Sequence, residues 1–137
     1  MKYSLVRRSF LLLAFALYMQ TGFAQSDDDS CKVLPRYTAS FEGVQAKGML
    51  SVEDLAKIKK LKPEETGVTI TRFTYIIDCG EDCEPHQRTV YSDTFSEEDA
   101  KAIQAMKSRN VLSLECILGK DKDGNLVSFK PFLYYIR

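Results

Sequence analysis

Residues 94–137 are the part of the chain that most constrains its fold, because they carry clear signals for a helix and for the strands after it. Ser96 stands at an N-cap position with Asp99 three residues later, which is the spacing of a capping box. Helical spacing then gives way to a run rich in β-forming residues over residues 111–118. Asp123-Gly124 supplies the positive φ angles of a tight hairpin turn. The segment therefore predicts a short helix, a β-hairpin and a closing strand.

A first helix is predicted upstream by the same kind of signal. Ser51 and Asp54 have capping-box spacing, and Pro63 marks the position before which the helix should close. The two helices, each followed by a β-rich run, are consistent with an internal helix–strand repeat. Two ordinary capped helices are favoured instead, because caps look alike wherever helices start.

The remaining β-rich segments predict five or six strands in all. Residues 68–78 alternate apolar and polar side chains with a break of phase between Ile70 and Phe73, which indicates a bulge. Residues 32–42, interrupted by Pro35, predict an edge strand or extended arm. Further strands are predicted at residues 89–94, 111–118, 125–129 and 132–136. The pattern predicts a mainly β fold, a sandwich or curled sheet with two short helices at its edges.

The N-terminus has the pattern of a cleaved signal peptide over residues 1–24. Basic residues precede an apolar run at residues 10–19, and small residues precede Gln25. Arg7-Arg8 also fits twin-arginine export, but the very apolar run and the absence of a cofactor motif favour the general secretory route. The run is about half the ~20 residues that span a bilayer, so we expect no transmembrane anchor in the mature chain. Residues 25–40 are predicted to be a flexible arm, and residues 41–137 the folded domain.

Charge excludes one class of partner. The chain has 19 basic and 19 acidic residues, and loss of residues 1–24 leaves 16 basic ones, a net charge of about −3. Nucleic-acid binding needs a basic face that releases counterions from phosphates, so no nucleic-acid partner is expected. The remaining chain has the length of one domain with one core.

Four cysteines in an exported chain favour two disulfides over any other use. Three pairings are compatible with the sequence. Cys79 and Cys83 can close on themselves across Gly80, which would leave Cys31 for Cys116. The main alternative is a zinc site of Cys79, Cys83 and His86, completed by Cys116 or Asp82, but an oxidising compartment consumes thiols first. We expect no metal and no cofactor.

No catalytic motif is present, and the lone histidine, His86, has no partner that would define a hydrolase. Asp121, Asp123 and Asn125 resemble the start of a calcium loop, but the glycine is two positions early, so a hairpin turn is the better interpretation. Glu81, Asp82 and Glu84 make the Cys79-to-Arg88 loop acidic. Because loops at sheet ends carry binding residues, we predict contact sites at this loop, with His86, and at the turn that contains Asp121, Asp123 and Asn125.

The order of these motifs resembles the C-terminal domain of GldM, the gliding-motility and type IX secretion protein. The resemblance covers residues from about 41 to the end and is carried by scattered positions: Gly48-Met49-Leu50-Ser51, Leu55, Val68, Phe73-Thr74, Phe95-Ser96, Ile103, Lys107, Leu114-Glu115-Cys116-Ile117 and Asp123-Gly124. It implies an immunoglobulin-like β-sandwich in the periplasm that docks to protein partners near the outer membrane. A cleavable signal in place of a retained transmembrane helix implies that this chain is not the motor component. Where the family has glycine after the second helix, Asn110 is expected to take the left-handed conformation.

These observations favour a non-enzymatic exported domain that binds protein partners in the periplasm or at the outer membrane. A secreted zinc- or thiol-dependent protein that uses Cys79, Cys83 and His86 is one alternative. A small inhibitor or immunity-type partner of a secreted enzyme is another, since size, export and disulfides fit it equally well.

Overall fold

The computed structural model describes residues 29–137, so the predicted signal peptide lies outside the described residues. This part of the chain is mainly β, with one α-helix, α1, and three short 3₁₀-helices. The strands are β1 (Ala39–Phe41), β2 (Met49–Leu50), β3 (Leu61–Pro63), β4 (Val68–Asp78), β5 (His86–Val90), β6 (Val111–Asp121), β7 (Leu126–Phe129) and β8 (Phe132–Ile136). The helix α1 is Glu97–Gln104, and the 3₁₀-helices are Asp29–Lys32, Val52–Lys57 and Gly80–Asp82.

The main sheet has six strands. Five of them lie in the order β2-β8-β6-β4-β5, and the sixth, β7, pairs with β6 outside this order. The pairs are antiparallel except β2 with β8, which is parallel. On one side of β6, β8 pairs with the first half of the strand and β7 with the second. A separate two-stranded sheet joins β1 to β3. The long strands β4 and β6 therefore form the centre of the fold.

The predicted strand over residues 68–78 is confirmed, together with its break of phase. The β4–β6 register shifts between Ile70 and Arg72 and again between Arg72 and Thr74. Beyond the shift, Phe73, Tyr75 and Ile77 are all buried, as expected of alternate positions on one face.

The core lies between the inner face of the main sheet and a cover made of α1, the Val52–Lys57 helix and the small sheet. Phe95, just before α1, connects these layers. Its ring centroid lies 5.0 Å from that of Phe73, 5.5 Å from that of Tyr75 and 6.1 Å from that of Phe41 in β1. Such aromatic pairs add to the burial energy, so this cluster fixes the small sheet and α1 against β4.

The second predicted helix is confirmed at its start. Ser96 is the N-cap, and the reciprocal bonds of the capping box with Asp99 are present. The helix ends at Gln104, however, so Lys107 lies beyond it. The left-handed residue after the helix is Arg109, with φ 76°, and the expectation that Asn110 takes this conformation is wrong. The Asn110 side chain instead accepts a hydrogen bond from the Lys107 amide at 2.7 Å, and so closes the turn from the other end.

The first predicted helix is confirmed at its cap and wrong in its length and type. Ser51 and Asp54 form the capping box, but the segment is a 3₁₀-helix that ends at Lys57, and Ile58 is already extended. Residues 59–61 are held by backbone bonds to the segment after β5: Leu61 N donates to Asp93 O at 2.8 Å, and Phe95 N to Lys59 O at 3.0 Å. Tertiary pairing of the backbone thus replaces the last predicted helical turns.

Candidate functional site

The acidic loop predicted at Cys79 to Arg88 is shorter than expected, because His86 and Arg88 already belong to β5. Cys79 is bonded to Cys83, with 5.6 Å between their Cα atoms, and Gly80 between them has φ 66°. Three acidic side chains of this loop point into solvent: Glu81, Asp82 and Glu84. The loop is therefore a short, closed, negatively charged end of the β4–β5 hairpin.

The second predicted contact site, at Asp121 to Asn125, is a self-contained turn. One oxygen of Asp121 accepts bonds from the amides of Asp123 and Asn125, both at 2.9 Å, and the other accepts from the Asn125 side chain at 3.2 Å. The backbone bond from Asn125 is the main reason that the pKa of Asp121 lies below its usual value. Asp123 and Asn125 are exposed, while the Asp121 carboxylate is engaged in holding the turn.

The structure does not bring these two sites together. Asp78, which precedes the acidic loop, pairs with Val111 at one end of the β4–β6 ladder, and Asp121 pairs with Val68 at the other. Eleven-residue strands separate them, so they cannot belong to one contact surface with a small partner.

The cysteines form two disulfides, and of the three pairings that the sequence left open the structure has the one that closes Cys79 on Cys83. Besides the bond between Cys79 and Cys83, hereafter the loop disulfide, Cys31 is bonded to Cys116 with 5.1 Å between Cα atoms; this is the arm disulfide. The sulfur ligands of the alternative zinc site are thus bonded to each other, and His86 Nε2 lies 3.3 Å from the Tyr75 hydroxyl. Within residues 29–137, no group of three or more His, Cys, Asp or Glu side chains is arranged to hold a metal ion.

A buried polar network connects α1 to the main sheet, and the sequence did not predict it. The Tyr75 hydroxyl donates to Asp99 Oδ1 at 2.8 Å, and Arg88 Nε lies 3.4 Å from the same oxygen. Asp99 is only 3% exposed. Burial raises the pKa of Asp99, but hydrogen bonds from Ser96 and Tyr75 outweigh it and leave that pKa below its usual value. Burial, reinforced by the bond to Asp99, raises the pKa of Tyr75.

This network has a structural role. Each of its polar atoms is engaged in the helix cap or in a contact between α1 and strands β4 and β5, and Tyr75 is fully buried. The sequence showed Asp99 as a cap and Tyr75 as an inward residue of a strand. Only the packing of α1 on the sheet places them in contact.

The outer face of the main sheet carries exposed apolar side chains along one edge. Met49 of β2 lies beside Tyr135 of β8 in register, and Leu133 lies two residues away on the same face. Their exposed fractions are 51%, 54% and 42%, respectively. We name these three residues the apolar strip. The alternation in the last strand was the sequence signal that could have identified it, since Phe132 and Tyr134 point the other way.

A cavity of about 440 Å³ lies next to the apolar strip, between the edge of β1 and the edge of β8. We name it the β1–β8 groove. The segment between β1 and β2 borders it with Val44, Lys47 and Gly48, and the other borders include Ala39 and Leu133. The Tyr134 hydroxyl donates to Ala46 O at 3.0 Å and so fixes this segment against β8. None of the sequence patterns predicted this groove.

No protein-family model matches the chain, and no curated protein matches it either. Among the described residues, no helix is long and apolar enough to cross a membrane.

Proposed function

We propose that this chain is an exported, non-enzymatic protein-binding domain with an immunoglobulin-like sandwich fold, similar to the C-terminal domain of GldM. In this proposal it acts in the periplasm or at the outer membrane, in association with gliding or type IX secretion machinery. The mainly β architecture supports the fold assignment. The two cysteine pairs at disulfide distance are consistent with an oxidising, exported compartment.

The observation that carries the proposal is the apolar strip. Met49, Leu133 and Tyr135 are adjacent and each is more than two-fifths exposed, whereas scattered single apolar residues are normal on a surface. Tyrosine and methionine are enriched at protein interfaces. The strip lies on β8 and on the two-residue edge strand β2, where a protein partner has access to both the face and the edge of the sheet.

A non-enzymatic role is supported by how the inner polar groups are used. Tyr75 and Asp99, the two ionisable side chains with the deepest burial and altered pKa values, bond to each other and to the α1 cap. Perturbed ionisable groups mark a catalytic site when they open into a cleft, and these two are closed off by Phe95 and α1.

Affinity capture from the native host tests the proposal with two matched variants. Tagged wild-type protein, exported by its own leader, is cross-linked gently and captured, and its partners are quantified by mass spectrometry. The test variant is Met49→Ser, Leu133→Ser, Tyr135→Ser. The control changes three exposed apolar residues elsewhere: Leu34→Ser, Tyr91→Ser, Leu126→Ser.

We expect the amount of an enriched periplasmic or outer-membrane protein captured by the test variant to fall at least about tenfold. Three apolar side chains that a partner buries contribute a few kcal/mol to an interface. The control should retain that protein. Reciprocal capture with a tagged gliding or secretion component should recover this chain. The proposal is wrong if both variants retain the same partners, or if wild type enriches none.

A further inference from the structure

The β1–β8 groove begins where two segments of the chain separate. Tyr37 N donates to Ser128 O at 3.3 Å, and Lys130 N donates to Tyr37 O at 2.8 Å, in the pattern of a parallel pair. Past this point the two segments continue as β1 and β8. β1 pairs with β3 in the small sheet, and β8 pairs with β6 in the main sheet. The groove is therefore a gap between two strands that run in the same direction, closed at one end by the Tyr37 pair.

The β1 side of the groove presents backbone groups. Neighbouring residues of an antiparallel strand direct their amide and carbonyl groups to opposite sides. Just outside the two strands, Glu64 N donates to Thr38 O and Glu42 N donates to Lys60 O, both at 2.9 Å. Even-numbered residues therefore direct their backbone groups toward β3, and Ser40, which pairs with Lys62, is the one within β1. The backbone N–H and C=O of Ala39, between Thr38 and Ser40, point away from β3 and toward the groove.

The β8 side does the same. Ile136 N donates to Asn110 O, the residue before β6, while Tyr135 N donates to Gly48 O on the opposite side, both at 2.9 Å. Odd-numbered residues of β8 thus direct their backbone groups away from β6. Leu133 follows this rule, and β2 pairs only with Tyr135 and Ile136, so the Leu133 backbone groups are directed toward the groove.

The side chains around the groove define what would fit. Val44, Phe132 and Tyr134 give it an apolar lining, and Lys47 and Lys62 stand exposed at its rim. The rim also includes Glu64, which leaves the lysines in excess. The length of β1 is three residues, or about 10 Å at a rise of about 3.3 Å per residue. The volume of about 440 Å³ is within the range of binding pockets.

We propose that the β1–β8 groove binds an extended segment of a partner protein, which adds as a strand between β1 and β8. The segment has apolar side chains at alternate positions, directed at Phe132 and Tyr134, and acidic side chains near Lys47 and Lys62. Its backbone completes the hydrogen bonds of Ala39 on one side and Leu133 on the other, and so joins the small sheet to the main sheet.

This inference rests on the proposed function and names the site and the kind of partner. The apolar strip is continuous with the groove, because Leu133 belongs to both. A partner that inserts a strand would place its neighbouring residues on Met49 and Tyr135. Strand addition uses backbone bonds for affinity and side-chain pockets for specificity, and the groove offers both.

A short synthetic peptide tests the proposal directly. The peptide has alternating valine and threonine residues and a glutamate at each end. It is titrated into the isotope-labelled full mature protein, and its binding is followed by NMR and amide hydrogen exchange. We expect the Ala39 and Leu133 amides to shift and become protected. A version with N-methylated backbone should not bind, because it cannot form the ladder.

Charge variants provide the specificity test. Lys47→Glu, Lys62→Glu should weaken binding of the glutamate peptide by about threefold to tenfold, as expected for two exposed charge contacts, and should favour a lysine-ended peptide instead. Lys101→Glu, Lys120→Glu changes the net charge equally at exposed sites outside the groove and should leave affinity unchanged. All four lysines are on the surface, so the variants keep the core.

Several results would overturn the proposal. The peptide could protect the amides of β5, the other edge of the main sheet, or bind nowhere. Equal binding of the N-methylated peptide would exclude strand addition. A concentration-dependent dimer that protects the same two amides would show that a second copy of this chain occupies the groove. If the peptide does not bind the groove but the capture experiment succeeds, only the strand-addition inference is wrong. If the capture experiment fails and the peptide binds, the apolar-strip proposal is wrong.

Discussion

Asp99→Ala removes one carboxylate that serves two structures at once. In the cap of α1, its Oδ2 accepts from the Ser96 hydroxyl at 2.7 Å and from the Ser96 amide at 3.3 Å. Its Oδ1 accepts from the Tyr75 hydroxyl at 2.8 Å. Alanine therefore removes the reciprocal half of the capping box, while the bond from the amide of residue 99 to Ser96 Oγ at 3.1 Å stays. It also removes the short acceptor of the Tyr75 hydroxyl, which keeps only the longer contact to His86 Nε2 at 3.3 Å, while Arg88 keeps Glu98 at 3.2 Å.

The expected loss is the sum of these two effects. A full helix cap contributes about 1 kcal/mol, of which the reciprocal half is lost, and removal of the acceptor of a buried hydroxyl costs about 1–3 kcal/mol. We predict that Asp99→Ala lowers the free energy of unfolding by about 2 kcal/mol. Asp54 is the matched control, because it forms the same capping box with Ser51 but has no tyrosine and is partly exposed. Asp54→Ala should cost clearly less.

Acid should reduce the difference between wild type and Asp99→Ala. The pKa of Asp99 is lowered in the folded protein, so the carboxylate stabilises the fold above its unfolded pKa of about 3.9. That contribution is lost as the pH falls through the folded pKa. The stability difference should therefore be constant near neutral pH and narrow below about pH 4.

Urea unfolding with the disulfides intact measures these effects, provided that the slope with denaturant is unchanged. A double-mutant cycle with Tyr75→Phe isolates the contact, and we expect a coupling of at least about 1 kcal/mol. Equal losses for Asp99→Ala and Asp54→Ala, or a coupling near zero, would refute the assignment of the network as the lock between α1 and the sheet.

Three further predictions concern other parts of the fold. Replacing both cysteines of the arm disulfide by alanine should lower the free energy of unfolding in urea by about 4–5 kcal/mol, and the same change in the loop disulfide should lower it by about 2 kcal/mol. The difference is expected because the two sequence separations are 85 and 4, and equal losses would contradict the chain-entropy argument. Gly119→Ala should destabilise the fold by at least about 3 kcal/mol, because the added Cβ would overlap the Thr69 carbonyl. Gly124→Ala, in open space at φ 81°, should cost about 1 kcal/mol. Thermal melts that rank the two variants the other way would exclude the close approach of Gly119 to Thr69. Burial raises the pKa of Tyr75, so its protonated form should stabilise the fold fully below about pH 10, and that effect should be lost as the pH rises through the pKa of Tyr75 in the folded protein. If the tyrosinate absorbance of Tyr75 appeared while the protein was still folded, its burial would be contradicted.

Local signals predicted the elements whose cause is local. The Ser96 cap, the hairpin at Asp123-Gly124 and the phase break in β4 are predicted correctly, because each depends on a few adjacent residues. The positive φ angles expected of the turn are found at Gly124 and not at Asp123. The cysteine pairing was only partly local: Cys79 and Cys83 are close enough in sequence to close on themselves, but the sequence left three pairings open, and the structure has Cys31 with Cys116.

Elements decided by distant partners were not predictable in the same way. The first helix stops at Lys57 because the next residues pair with the segment at Asp93. β5 begins at His86, earlier than expected, because Ile77 of β4 provides a ladder partner there. The β1–β8 groove arises from two strands that diverge, and no single segment of sequence encodes a gap between segments.

The position of β6 in the chain determines when the fold can form. This strand is bonded to β4 on one side and to β7 and β8 on the other, yet it begins only at Val111. A chain that emerges N-terminus first therefore has no central strand until most of it is available, so contact order is high and folding follows synthesis. Cys83 appears long before Cys116, and the loop disulfide can close first. Closure in that order would withdraw two competing thiols and leave Cys116 as the partner for Cys31.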